Sequence, residues 1–118
     1  MSGLRLRTDF WVAALRRRAE AEGAYVSIAR KGAEEAGAVF VVVDRRDGTF
    51  DLYGPAPQAV FAEERPSERL FVLIAAATTE AAVAARMQSE LRFDPDLWRI
   101  DIEDRSGRAF LEVIADPF

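Results

Sequence analysis

The sequence has neither histidine nor cysteine among its 118 residues. Without histidine it lacks the side chain that most often acts as a general base near neutral pH and that most often ligates metals. Without cysteine it lacks a thiolate nucleophile, a zinc–thiolate site and any disulfide. Carboxylates, hydroxyls, arginines and one lysine, Lys31, remain for chemistry. Walker, dinucleotide-binding and nucleophile-elbow motifs are also missing, so no reaction class is indicated.

The sequence also lacks a long apolar run. The longest, residues 70–77, is far shorter than the roughly 20 residues that cross a bilayer. A shorter apolar run, residues 10–15, ends at three consecutive arginines and does not match the core of an export signal. Together with the missing cysteine, these features predict a cytoplasmic protein without a membrane partner.

Composition and charge are typical of one soluble globular domain. Half of the residues are hydrophobic and 31% are charged, and a chain of this length buries enough surface for a single core. We therefore predict one domain over residues 1–118. The net charge is −4, made up of +3 over residues 1–46 and −7 over residues 47–118. This acidic balance argues against a nucleic-acid partner.

Hydrophobic spacing and turn residues predict two helices and about six strands. The helices are expected over residues 9–22 and from a cap at Thr78 or Thr79 to about Arg92. The strands are expected over residues 25–30, 38–43, 49–53, 70–75, 98–104 and 109–113. Asp47-Gly48 and Ser106-Gly107 are typical hairpin turns. Because hairpin turns dominate, we predict an α+β domain: a mainly antiparallel sheet of about five or six strands, with two helices packed on one face.

Several stretches, taken in order along the chain, resemble a known family. They are residues 9–15 (DFWVAAL), 37–39 (GAV), 52–58 (LYGPAPQ), 92–98 (RFDPDLW), 103–105 (EDR) and 107–108 (GR). With these stretches the sequence resembles the bacterial family called domain of unknown function 1491. The resemblance spans nearly the whole chain and implies one small stand-alone bacterial domain. It implies no activity, ligand or catalytic residue.

The proline-rich segment after the third predicted strand is the leading candidate for a binding element. Because proline fixes φ, a rigid loop of this kind loses little conformational entropy when it binds. The alternative is a stiff turn that only ends the strand. We include Trp98 as an adjacent contact. The predicted binding residues are Tyr53, Gly54, Pro55, Pro57, Gln58 and Trp98.

An acidic pair offers a second candidate site. Asp101 and Glu103 point the same way from one predicted strand, because side chains alternate along a strand. Such a pair can hold Mg²⁺ or Ca²⁺, or act as an acid and a base. The alternative is a solvated face, with the neighbouring Asp94 and Asp96 capping a turn. Since no metal-binding spacing is present, we expect neither a metal nor another cofactor.

These observations lead to one functional hypothesis and one alternative. We predict a non-catalytic adaptor or regulatory module that binds another protein, because catalytic side chains are missing while a rigid loop is present. The alternative is a carboxylate-dependent enzyme or a divalent-metal-binding protein. Self-association is a further option, since an exposed edge strand needs covering.

Overall fold

The computed structural model describes residues 6–57 and 69–115, which form two helices and six strands. The helices are α1 (Thr8–Ala21) and α2 (Glu80–Phe93). The strands are β1 (Tyr25–Arg30), β2 (Val39–Asp44), β3 (Phe50–Pro55), β4 (Leu70–Thr78), β5 (Trp98–Glu103) and β6 (Glu112–Val113). The predicted α+β composition is confirmed. Neither helix in this part of the chain is long and apolar enough to cross a membrane.

The strands form one mixed sheet in the order β1-β5-β2-β3-β4-β6. The pairs β1/β5, β2/β3 and β3/β4 are antiparallel, whereas β2/β5 and β4/β6 are parallel. The prediction of a mainly antiparallel sheet is therefore wrong. The Asp47-Gly48 turn does join β2 to β3, but the chain after Ser106-Gly107 leaves β5, and β6 pairs with β4. A hairpin turn fixes the relative direction only of the two strands that it joins. Strand β5 follows α2 in the chain and pairs with β2 in the parallel direction, which no hairpin turn determines.

The two helices pack on opposite faces of the sheet, so the prediction of helices on one face is also wrong. Val39, Val41 and Val43 of β2 belong to the apolar cluster that contains α1. Phe40 and Val42 belong to the cluster that contains α2. Because successive side chains of a strand point to opposite faces, one strand serves two cores. We call these the α1 face and the α2 face; the continuous apolar run of β2 reflects burial on both.

Each helix turns an apolar stripe toward its own face of the sheet. In α1 the buried side chains recur every three or four residues, which places them on one side of the helix. They are Thr8, Val12, Leu15 and Ala19. In α2 the predicted cap is confirmed, because the Thr79 hydroxyl accepts a hydrogen bond from the Ala82 N–H at 3.1 Å.

The charged side chain of Asp51, on strand β3, is buried. Alternation along β3 predicts that it points outward into solvent, yet it is only 1% exposed. Its carboxylate lies 2.8 Å from Arg45 Nε and 2.6 Å from Arg45 Nη2, and it accepts the Ala77 N–H at 2.8 Å. Ala77 has a positive φ of 49°, close to where the β3/β4 register shifts between Phe50 and Leu52. The carboxylate therefore stabilises a bulge between two strands.

Replacement of Asp51 by alanine should lower the free energy of unfolding by about 2–3 kcal/mol, because Arg45 and the Ala77 amide both lose their acceptor. The Arg45 side chain is 38% exposed, so the loss stays below that of a fully buried pair. Urea unfolding measures it. The control Asp96→Ala removes an exposed carboxylate and should change stability by less than about 0.5 kcal/mol. A loss below about 1 kcal/mol for Asp51→Ala would contradict this role.

Candidate protein-binding groove

Strand β3 contains Tyr53, as predicted, and continues through Gly54 to Pro55, which were expected to lie in the loop after the strand. Gly54 explains the continuation. A Cβ atom at Gly54 would lie 2.6 Å from Ile74 Cδ1 and 2.9 Å from Phe40 Cε2. Glycine therefore lets β3 pass close to its neighbours, whereas a larger residue would require Ile74 and Phe40 to shift. The proline-rich segment ends the strand later than predicted.

Of the other predicted binding residues, Pro57 and Trp98 lie within the described part of the chain. Pro57 is half-buried just beyond β3, and Gln58 lies outside the described residues. Tyr53 itself is half-buried, and this burial raises the pKa of its hydroxyl. Trp98 is only 2% exposed, and its Nε1 donates to the Ala33 carbonyl oxygen at 2.8 Å. Trp98 therefore offers almost no exposed surface to accompany Tyr53.

The acidic pair on β5 is already engaged by arginines. Arg99 donates two hydrogen bonds to Asp101, at 2.8 and 3.3 Å. Arg46 Nη1 lies 3.3 Å from Glu103 Oε1 and 3.3 Å from Asp44 Oδ2. Across residues 6–57 and 69–115, no three histidine, cysteine, aspartate or glutamate side chains come together as a metal-binding group. The geometry is that of surface ion pairs, which gives the metal-site alternative no support.

A groove of about 550 Å³ lies between helix α1 and strand β1 on the α1 face. We call it the α1–β1 groove. Its apolar lining comes from Val12 and Ala13 of α1, Ile28 of β1 and the buried Trp98 of β5. Its charged lining residues are Asp9, Arg16, Arg17, Glu20 and Lys31. One residue of the predicted site, Trp98, thus contributes to a groove that no local sequence pattern indicates.

Ile28 is the residue of this groove that the sequence pattern misassigned. Alternation along β1 places Val26 and Ile28 on the same side, which suggests that both are buried. Val26 is 1% exposed, but Ile28 is 41% exposed. Within the described residues β5 is the only sheet neighbour of β1, so β1 is an edge strand. Edge position depends on the order of distant strands, and no local signal reveals it.

The amino-terminal end of α1 is held by the connection between β1 and β2. The Thr8 and Asp9 N–H groups donate to the carbonyls of Glu35 and Glu34 at 3.3 and 3.0 Å. The Thr8 hydroxyl donates to the Gly37 carbonyl at 3.1 Å. These carbonyls satisfy helix-end donors that the N-cap side chain leaves unbonded. The first turn of α1 is therefore tied to the sheet through this connection.

The same connection is fixed by the turn before β5. The Ala33 N–H donates to the Asp96 carbonyl at 2.9 Å, and the Trp98 indole donates back to the Ala33 carbonyl. Glycines allow this contact, because a Cβ would lie 2.1 Å from the Asp96 carbonyl oxygen at Gly32 and 2.6 Å from it at Gly37. Three of the stretches that carry the family resemblance meet here: residues 9–15, 37–39 and 92–98.

The carboxyl-terminal end of α1 is held by the segment after β5. Asp104 is 8% exposed and accepts hydrogen bonds from Arg108 N, Nε and Nη2 at 2.7, 3.0 and 2.9 Å. Arg108 also donates to the Glu22 carbonyl at 3.1 Å, and Arg18 donates to the Phe110 carbonyl at 3.2 Å. The side-chain hydrogen bonds from Arg108 lower the pKa of Asp104. Helix α1 is thus fixed at both ends, and this sets the width of the α1–β1 groove.

A second cleft, of about 300 Å³, lies near the carboxyl end of β3 and includes Gly37, Pro55, Arg69 and Asp94 in its lining. The α1–β1 groove is larger than this cleft and borders the edge strand β1, and we therefore take it as the candidate site.

The family model described as protein of unknown function (DUF1491) matches residues 6–112. The chain belongs to this family. The matched residues of this DUF1491 protein include every residue that lines the α1–β1 groove.

Three solved structures are similar over nearly their whole length. A crystal structure of a DUF1491 family protein from Caulobacter crescentus CB15 is 43% identical, with a TM-score of 0.77, over 94% of this chain and 99% of that chain. The solution structure of protein Atu0922 from A. tumefaciens is 40% identical, with a TM-score of 0.83, over 97% of this chain and 98% of that chain. An NMR structure of a DUF1491 family protein from Caulobacter crescentus CB15 is 44% identical, with a TM-score of 0.76, over 94% and 98%. No curated protein matches the chain.

Acid should weaken the anchor at the carboxyl end of α1. A carboxyl group whose pKa is lowered by folding stabilises the protein above its unfolded pKa, and this contribution is lost as the pH falls through the folded pKa. We expect Asp104→Asn to be less stable than the parent at neutral pH, with a difference that shrinks as the pH falls below about 4. Thermal unfolding along a pH series measures it. A difference that stays constant through the acid range would contradict the role of Asp104.

Proposed function

We propose that the protein is a non-catalytic protein-binding module that accepts an extended segment of a partner as an added strand beside β1. One observation carries the proposal. Ile28 is a large apolar side chain, 41% exposed, on an edge strand that borders an open groove. An exposed strand edge next to an apolar depression is a surface that proteins normally protect or use. An adaptor or regulatory role follows from binding of this kind.

The backbone of β1 supplies the main-chain part of recognition. In an antiparallel pair, alternate residues direct their N–H and C=O groups toward the partner strand and the others direct them away. Strand β1 has six residues, so about three of them offer backbone groups on its outer edge. An incoming extended segment bonds to these groups, as in other cases of peptide recognition by strand addition.

The groove supplies the side-chain part of recognition. Side chains of an added strand alternate between two faces, so every second one would enter the α1–β1 groove. There they would meet Ile28 and Ala13, which are exposed, and remove apolar surface from water. On the α2 face the added strand would lie beside Tyr25, which is 61% exposed. A segment with alternating apolar side chains therefore fits this edge.

Carboxylate-dependent chemistry has less support than binding. Asp101 and Glu103 already interact with Arg99 and Arg46. A carboxylate that accepts hydrogen bonds from an arginine must give them up before it takes a proton or a metal ion. The chain also contains no histidine or cysteine that could act as a second acid, base or metal ligand.

The predicted contact at Tyr53 and Pro55 is a separate surface and stays a prediction. These residues lie on β3, which is three positions from β1 in the sheet order. At about 4.8 Å between strands, the separation is about 14 Å. A short peptide strand beside β1 does not reach both, so a Tyr53 variant distinguishes the two surfaces.

Ile28→Asp should weaken peptide binding beside β1. Peptides selected on the parent protein from a random-sequence display library are the probe, and fluorescence anisotropy measures their Kd. An aspartate in the groove must be desolvated under the added strand, so we expect affinity to fall by about tenfold to a hundredfold. Leu73→Asp is the matched control, because Leu73 is 43% exposed against 41% for Ile28. It should bind like the parent, and thermal unfolding checks that both variants fold.

Amide hydrogen exchange locates the bound peptide independently. Strand addition should slow the exchange of β1 amides, because an added strand takes up their outward N–H groups. Binding that survives Ile28→Asp but is lost in Tyr53→Ala would contradict the proposal and favour the surface on β3. A library that yields no peptide dependent on Ile28 would contradict it as well.

A further inference from the structure

We infer that the partner segment is acidic: an extended peptide whose carboxylates pair with Arg17 and Lys31 at the rim of the α1–β1 groove. This inference rests on the proposed strand addition beside β1 and adds the charge of the ligand. It is carried by charge complementarity, as the distribution of ion pairs around the groove shows.

The anions of the groove are already neutralised from within the chain. Asp9 accepts hydrogen bonds from Arg7 Nε and Nη2 at 3.2 and 3.1 Å. Glu20 accepts one from Arg16 Nε at 3.4 Å. Arg7 does not itself line the groove, and it also lies 3.5 Å from Glu34 and 4.0 Å from Glu35. The lining residues carry three positive charges (Arg16, Arg17 and Lys31) and two negative charges (Asp9 and Glu20), so the net charge of the lining is +1.

Two cations remain available to a ligand. Arg17 is exposed on α1, and its side chain forms no hydrogen bond or ion pair with the rest of the described chain. Lys31 Nζ lies 3.2 Å from Glu34, but the two side chains are 63% and 55% exposed. Ion pairs this exposed contribute little. A ligand carboxylate partly shielded by the groove can therefore bind Arg17 and compete with Glu34 for Lys31.

The same cations disfavour a second copy of the chain as the occupant. Pairing of β1 with β1 of another copy about a two-fold axis would place the two grooves on either side of the strand pair. Arg17 and Lys31 of one copy would then approach the same residues of the other. Like charges brought together in this way oppose association, whereas an acidic segment meets no such repulsion.

Three display libraries test the charge of the ligand. All three have apolar residues at every second position. The positions between them hold only Asp and Glu in the acidic library, only Ser and Gln in the neutral library, and only Lys and Arg in the basic library. Selection on the full chain should yield binders dependent on Ile28 chiefly from the acidic library. Raising the salt concentration from about 50 to 300 mM should weaken these peptides, because it screens exposed charges.

Arg17→Glu should weaken the selected acidic peptides by about tenfold at low salt, because it turns an attraction into a repulsion. The matched control is Arg92→Glu, which reverses an exposed arginine at the end of α2. It should leave the affinity unchanged. Anisotropy titrations of both variants against the same peptide measure the difference.

The remaining outcomes separate this inference from the proposed function. Ile28-dependent binders drawn equally from the neutral or basic library would overturn the acidic ligand and leave strand addition intact. No Ile28-dependent binder from any library would overturn strand addition itself. A dimer in sedimentation equilibrium that Ile28→Asp dissociates would show a second copy at β1 and would overturn the acidic partner.

Discussion

Burial of β2 on both faces is the constraint on which the rest of the structure depends. Strand β2 lies between β5 and β3, and its alternating side chains enter two separate apolar clusters. Each cluster needs a cover, so α1 and α2 occupy opposite faces. Strands lie about 4.8 Å apart and a helix is about 10 Å wide, so one helix covers about two or three strands. On the α1 face, the described residues leave a groove between α1 and β1.

The width of that groove is decided by how α1 is anchored. At its start the helix receives backbone carbonyls from the connection between β1 and β2, and at its end it is bonded to the segment after β5 through Arg108. Both anchors come from chain segments that are distant in sequence. A groove held in this way is formed before a ligand arrives, which reduces the entropy lost on binding.

Four acidic side chains of this DUF1491 protein make contacts within the chain that bear on the proposed function. Asp51 stabilises a bulge between β3 and β4, and Asp104 positions Arg108 at the end of α1. Asp101 and Glu103 are bonded to arginines on the α2 face. These carboxylates are thus bonded to other groups of the chain. The surface beside β1, by contrast, has an exposed apolar side chain, Ile28, and an arginine, Arg17, that forms no ion pair within the described chain. This distribution supports the binding role that we propose.

The sequence by itself determined the local elements: both helices, a cap at Thr78 or Thr79, the turn at Asp47-Gly48 and the central position of residues 38–43. Caps, turns and periodicity depend on residues within a few positions of each other, so a single chain shows them. Only the tertiary structure decided that β5 lies parallel to β2, that the helices take opposite faces, that β3 runs on past Gly54 and that β1 is an edge. These features depend on which distant segments pair with a strand or cover it. The alternation of side chains along a strand shows that the strand has two faces, but it does not show what packs on each face.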